Sequence, residues 1–147
     1  MESKYSYIGG TKVKADVSLD FQLKSPIDKV WKALTDSEIL AKWMWDNDFV
    51  PVVEHNFQFT TEPSEWWDGI VNGEVLEVDE PNKLSYTWES SGEKTTVTWT
   101  LKETSEGTHL HFEQAGFSEQ TKEIPGALEG AISGWTQFVE KLKPLIE

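Results

Sequence analysis

The chain has 147 residues and carries 26 Asp plus Glu against 13 basic residues, a net charge of −13. Every basic residue is Lys, so nucleic acid and anionic membrane surfaces are excluded as partners, by repulsion and by the lack of the guanidinium fork. With no Cys, disulfides, thiolate catalysis and Cys-based zinc or iron–sulfur centres are excluded as well.

Hydrophobic residues make up only 37% of the chain, yet 12% are aromatic and eight are Trp. A core built from a few large rings is the consequence. The length suits one domain, residues 1–147, which buries roughly two thirds of the surface its unfolded form exposes. The opening MESKYSYIGG lacks an apolar run of signal-peptide length, and no stretch approaches a membrane span. The expectation is a soluble, cytoplasmic protein with a loosely ordered segment over residues 1–11.

Val13, Ala15, Val17, Leu19, Phe21 and Leu23 alternate with polar neighbours, which predicts one strand with a dry and a wet face. Ser25-Pro26-Ile27-Asp28 then reads as a helix start, Ser as cap and Pro at the first helical position. Ile27, Val30, Trp31 and Leu34 form the apolar stripe of that helix. Thr35-Asp36-Ser37-Glu38 reads as a capping box opening a second short helix, with Leu40, Trp43 and Met44 on its apolar side.

From Asp46 onward strands dominate. Phe57 and Phe59 alternate with polar residues, and the segment from Trp66 to Glu80 is rich in Val, Ile and Leu, with Gly69 and Gly73 as bends or a bulge. Leu84, Tyr86 and Trp88, then Val97, Trp99 and Leu101, then Leu110 and Phe112 mark the dry faces of strands joined by short turns. Finally Ile124, Leu128, Ala131, Trp135, Phe138, Leu142 and Leu145 recur at helical spacing, with Pro125 in the first turn. The order predicts an α+β fold: about six antiparallel strands around one long C-terminal helix, with two short helices after the first strand.

Val30-Trp31-Lys32-Ala33-Leu34-Thr35-Asp36 with Leu40-Ala41-Lys42-Trp43, the run Gly73 to Trp88, Gly116-Phe117, and Gly134-Trp135 with Leu142-Lys143 together resemble the activator of 90-kDa heat-shock-protein ATPase homologue-like family. That family lies in the START-like, birch-pollen-allergen-like (SRPBCC) superfamily. The resemblance implies a helix-grip fold and a cavity between sheet and helix for a small hydrophobic, aromatic or lipid-like molecule. It also implies an alternative partner, the 90-kDa heat-shock protein, and a further alternative, a cyclase-type enzyme.

Trp43, Phe59, Trp67, Tyr86, Trp88, Trp99, Phe112 and Trp135, with Leu128 from the helix, are the candidate ligand-binding residues. Taken singly each ring reads as core filling; that the set lines a cavity is what the resemblance implies. Trp66 and Trp67 are adjacent in a predicted strand, so one of them faces out. Gly126, Gly130 and Gly134 recur every four residues on the helix, either leaving room for a ligand or allowing close approach to sheet and rings.

His109, His111 and Glu113 have H-x-H-x-E spacing, but Leu110 and Phe112 take the dry face, so the trio reads as a surface cluster rather than a metal site. Asp46-Asn47-Asp48 lacks the rest of a calcium loop. No phosphate-loop, dinucleotide, nucleophile-elbow or zinc-protease motif is present in the sequence. A carboxylate such as Glu77 could act as an acid or base only if it entered an apolar cavity. No catalytic residue, cofactor or metal is expected.

Overall fold

The computed structural model describes residues 15–147 in full and Tyr5–Ile8 and Thr11–Lys14 by backbone alone. The expectation of a loosely ordered segment over residues 1–11 falls largely outside the described residues. Tyr5–Ile8 (β1) and Thr11–Lys14 (β2) pair with each other as a two-stranded antiparallel sheet.

The predicted first strand is therefore divided. Its second part, Val17–Leu23 (β3), belongs to the main sheet, and the chain leaves the ladder at Ala15-Asp16. The Asp16 carboxylate accepts the backbone N–H groups of Gly116 and Phe117, both at 3.0 Å, and pairs with Lys122 at 3.2 Å. Period-two alternation reports which face a residue takes but not which strand it pairs with, so it runs through such a break unseen.

Helices Ile27–Thr35 (α1) and Ser37–Trp43 (α2) follow. Their caps differ from expectation. Pro26 occupies the cap position of α1 and offers no side-chain acceptor, while the Ser25 hydroxyl donates to the Ile146 carbonyl at the far end of the chain. Asp36, not Thr35, caps α2: its carboxylate accepts from the N–H groups of Glu38 and Ile39 at 2.9 and 3.1 Å. Thr35 ends α1 and returns its hydroxyl to the Trp31 carbonyl.

The short strand Asp46–Asn47 (β4) and Asn56–Thr60 (β5) precede Ile70–Asp79 (β6), Lys83–Ser90 (β7), Glu93–Thr104 (β8) and Gly107–Ala115 (β9). The main sheet has seven antiparallel strands in the order β3-β9-β8-β7-β6-β5-β4. β6 begins four residues after Trp66, so the Trp66–Trp67 pair lies in a loop rather than a strand. Gly73 is in β6 where an added Cβ would enter the Phe57 ring, and the β6–β7 register shifts between Val75 and Glu77, a bulge.

The C-terminal helix also starts later than predicted. A separate short helix, Glu119–Glu123 (α3), comes first, Gly126 takes a left-handed φ of 83°, and the long helix spans Ala127–Ile146 (α4). Ile124 and Pro125 thus lie before it, and Ile124 is exposed. The buried positions of α4 are Trp135, Val139, Leu142 and Ile146; Leu128, Ala131 and Phe138 are half-buried, and Leu145 faces solvent. The buried stripe therefore begins at Trp135 and runs to the C-terminal end of α4, and the helix packs beside α1, α2 and β3. This is the α+β arrangement that the order of elements predicts and the helix-grip fold that the resemblance implies.

The core lies between the sheet and these helices. Leu84, Trp99, Phe112 and Leu19 form one cross-strand row, and Tyr86, Val97, Gln114 and Val17 form the next. The second row contains an amide, and the candidate site begins there.

Candidate functional site

On β7 the dry-face residues run Leu84, Tyr86, Trp88, Ser90; on β8 they run Leu101, Trp99, Val97, Thr95, Glu93; on β9 they run Leu110, Phe112, Gln114. Each row starts apolar and ends polar at the same end of the sheet, beside the β7–β8 turn. There the first turns of α4, before Trp135, carry no buried residue. Beside them is a pocket of about 250 Å³. Trp45, Trp88, Phe117, Trp135 and Phe138 form its apolar walls, Ala131 and Gly134 its helix side, and Ser90, Glu93, Thr95 and Gln114 its polar end.

The rings are braced edge against face. Trp88 and Trp135 lie 4.8 Å apart between centroids at 60°, and Trp45 meets Phe138 at 5.1 Å and 85°. Behind them Trp135 packs on Phe112 at 4.4 Å and Phe112 on Trp99 at 4.7 Å. Such pairs hold their geometry through the ring quadrupole as well as by burial. The walls are therefore set by the core and are not free to collapse into the space.

A chain of hydrogen bonds orders the polar end. The Trp135 indole N–H donates to Gln114 Oε1 at 3.0 Å, Gln114 Nε2 donates to Thr95 Oγ1 at 2.9 Å, and Thr95 Oγ1 donates to the Trp88 carbonyl at 3.2 Å. Glu93 sits at the rim. Its carboxylate accepts from the Thr121 hydroxyl at 2.6 Å, the Ser118 N–H at 2.6 Å and the Ser118 hydroxyl at 3.1 Å. These bonds, the Thr121 hydroxyl first, hold its pKa below the usual carboxylate value.

Gly130 and Gly134 face open space: a Cβ at either would meet nothing within 4 Å. Close approach of helix to sheet, one reading of the glycine spacing, is thereby ruled out at these two positions. At Gly134 the missing side chain enlarges the pocket.

Of the expected ligand-binding residues, Trp88 and Trp135 line this pocket. Trp43, Phe59, Trp99, Phe112 and Tyr86 are buried in the core behind it. The Trp99 indole donates to the Tyr86 hydroxyl at 2.9 Å and the Trp43 indole to the Ala33 carbonyl at 3.0 Å. Burial pushes the Tyr86 phenol well above its ordinary pKa, so it stays neutral. Trp67 packs on Trp45 at 5.4 Å and donates to Ser90 Oγ at 2.8 Å, one layer outside the lining, while its neighbour Trp66 is 90% exposed. Leu128 is half-buried on the helix and does not line the space.

Sequence reasoning missed Trp45, Phe117, Phe138 and the polar end. The signal for the polar end was in the alternation itself: Gln114 and Thr95 continue the dry parity of Phe112 and Val97, and a polar residue on a dry face calls for a reason.

The other titratable clusters lie away from the pocket. His111 is held at both ring nitrogens, Nδ1 to Asp20 at 2.8 Å and Nε2 to Glu113 at 3.0 Å, and His109 Nε2 meets the same Asp20 oxygen at 2.7 Å. The ligand atoms of Asp20, His109 and His111 lie within 4.8 Å of one another. However, the Glu113 bond, with Asp20, raises the His111 pKa to about 9, and an imidazolium donating from both nitrogens offers a metal no lone pair. Glu77 is exposed and pairs with Lys83 at 3.3 Å. His55 bonds the Asp48 carbonyl, and Asp48 accepts the Gln58 N–H, so this loop is tied by its own residues. No helix among the described residues is long and apolar enough to cross a membrane.

Known proteins share this architecture. MLL2253 from Mesorhizobium loti is 38% identical with a TM-score of 0.77, over 88% of this chain and 94% of that one. BH1534 from Bacillus halodurans is 30% identical with a TM-score of 0.73, over 89% of this chain and 96% of that one. CalU16 from Micromonospora echinospora, 23% identical with a TM-score of 0.76 over 97% of this chain and 82% of that one, shares the fold. No curated protein matches the chain. The sequence profile described as Activator of Hsp90 ATPase homolog 1-like protein matches residues 24–147. Profile and fold agree: the chain belongs to the Activator of Hsp90 ATPase homolog 1-like family.

Proposed function

We propose that this protein is a binding module for a small aromatic molecule of one or two rings, held against Trp88 and Trp135 beneath the Gly134 face of α4. The observation that supports it is the open, ring-walled space beside Gly134. Its size supports a small ligand. An apolar cavity of about 150 Å³ accommodates benzene, so 250 Å³ suits a bicyclic aromatic better than a long acyl chain or a four-ring polyketide. Burial of the ligand's apolar area drives association, and the pre-set walls reduce the ordering it requires.

Titration with naphthalene, followed by backbone amide shifts, tests the reading. Saturable shifts confined to Trp88, Gln114, Gly134 and Trp135, lost in Gly134→Leu, are the expected result. Saturation without shifts at these residues, or no saturation at all, defeats it.

A second reading, contact with the 90-kDa heat-shock protein, is favoured by the description of the family. It predicts stimulation of that chaperone's ATPase by this protein, and stimulation that survives Gly134→Leu separates it from ligand binding.

A further inference from the structure

The polar end of the pocket has a definite charge and a definite count of hydrogen-bonding sites. Among the described residues that line the pocket, Glu93 is the only charged one. Its three hydrogen-bond partners, Ser118 N–H, Ser118 Oγ and Thr121 Oγ1, are neutral, so its negative charge is not cancelled. A carboxylate accepts about four hydrogen bonds, which leaves capacity for one further donor. The Gln114 amide has two N–H groups; one goes to Thr95, and its Oε1 is taken by Trp135.

Resting on the pocket reading above, we propose that the site takes an uncharged aromatic molecule bearing a hydrogen-bond donor, such as a phenolic hydroxyl, and rejects aromatic carboxylates, with Glu93 as the residue that discriminates. A phenol entering with its ring against Trp88 and Trp135 gives its O–H to the Glu93 carboxylate, and the remaining Gln114 N–H is a second hydrogen-bonding site in the same wall. A carboxylate in the same place has no proton to give and brings a second negative charge to a wall without a cation. The chain's net charge of −13 adds to that repulsion at longer range. The neutral-donor bonds that stabilise ionised Glu93 keep the discriminating charge in place through mildly acidic pH.

Three bicyclic probes of nearly the same size separate the possibilities: 2-naphthol, 2-methoxynaphthalene, which cannot donate, and 2-naphthoate. Dissociation constants from amide-shift titrations of the wild type and Glu93→Gln are compared near neutral pH. In the wild type, 2-naphthol is expected to bind roughly tenfold or more tightly than 2-naphthoate, the size of a like-charge contact weakened by solvent. It is also expected to bind more tightly than 2-methoxynaphthalene. Glu93→Gln removes the charge and keeps one oxygen acceptor, for the Ser118 and Thr121 hydroxyls that share Oε2, and there the gap between naphthol and naphthoate closes. Wild-type binding of naphthoate as tight as naphthol, or of methoxynaphthalene as tight as naphthol, overturns this proposal and leaves the aromatic pocket standing. Binding of none of the three overturns the pocket reading and this proposal together. The wild-type comparisons remain decisive should the variant not fold.

Discussion

The indole N–H of Trp135 on α4 meets the side-chain carbonyl of Gln114 on β9 at 3.0 Å, both residues nearly inaccessible to solvent. This bond ties the helix to the sheet at the point where the pocket opens. Gln114 is also the link to Thr95, whose hydroxyl keeps its bond to the Trp88 carbonyl, so loss of the amide strands the Trp135 N–H. Gln114→Leu is expected to destabilise the fold by about 1–3 kcal/mol, the range for leaving a buried donor unpaired. Urea unfolding checks it; an unchanged midpoint would show that the amide contributes nothing net.

Gly134 separates stability from binding. Its position is helical and a methyl group there meets nothing within 4 Å. Gly134→Ala should therefore stabilise the protein by about 0.5–1 kcal/mol through helix propensity, while the added methyl occupies pocket space and weakens naphthalene binding. Opposite signs in thermal melting and in titration are the expected pair of results. A loss of stability would mean that the helix side of the pocket is not open.

Tyr86 and Trp99 make the matching bond inside the core, at 2.9 Å. Tyr86→Phe retains the ring and its packing on Phe57 and Phe49 but leaves the Trp99 N–H without its acceptor. A destabilisation of about 1–3 kcal/mol is expected, with little change in naphthalene binding because neither residue lines the pocket. Chemical denaturation and the same titration read the two effects separately.

His111 gives the fold a pH dependence of known sign. Its pKa is raised from 6.5 to about 9 in the folded protein, chiefly by the bond to Glu113 and then by Asp20, with burial opposing. A group whose folded pKa is raised stabilises fully below its unfolded value and loses that contribution as pH climbs through the folded one. Stability should therefore fall between pH 6.5 and about 9. The share due to His111 is on the order of 2 kcal/mol after allowance for solvent screening. The difference between wild type and His111→Gln in urea unfolding isolates it from other groups. A difference that does not vary across that window removes His111 from the account.

Much of the fold was legible in the chain because strand faces and helix stripes repeat at fixed periods. Val97, Trp99 and Leu101, with Leu110 and Phe112, are buried as their alternation requires. Starts and stops were harder to read. Asp36 rather than Thr35 caps α2, and α4 begins after Gly126, because each of several neighbouring residues was able to serve and local contacts decided among them. The site was legible only in part. Trp88 and Trp135 line the pocket, yet rings with the same sequence signal, Trp43, Trp99 and Phe112, lie buried behind it.

The chemical character of this protein was settled by its residues alone: an acidic, Arg-free and Cys-free chain whose dry faces are built from indoles and phenyl rings, in an order that suits one sheet and one long helix. Where the rings leave space depended on tertiary structure. Periodicity assigns a side chain to a face, but a void is the gap between two faces and depends on their separation. That separation is set by contacts between residues distant in sequence, Trp135 with Gln114 and Ser25 with Ile146 among them, which no local pattern encodes.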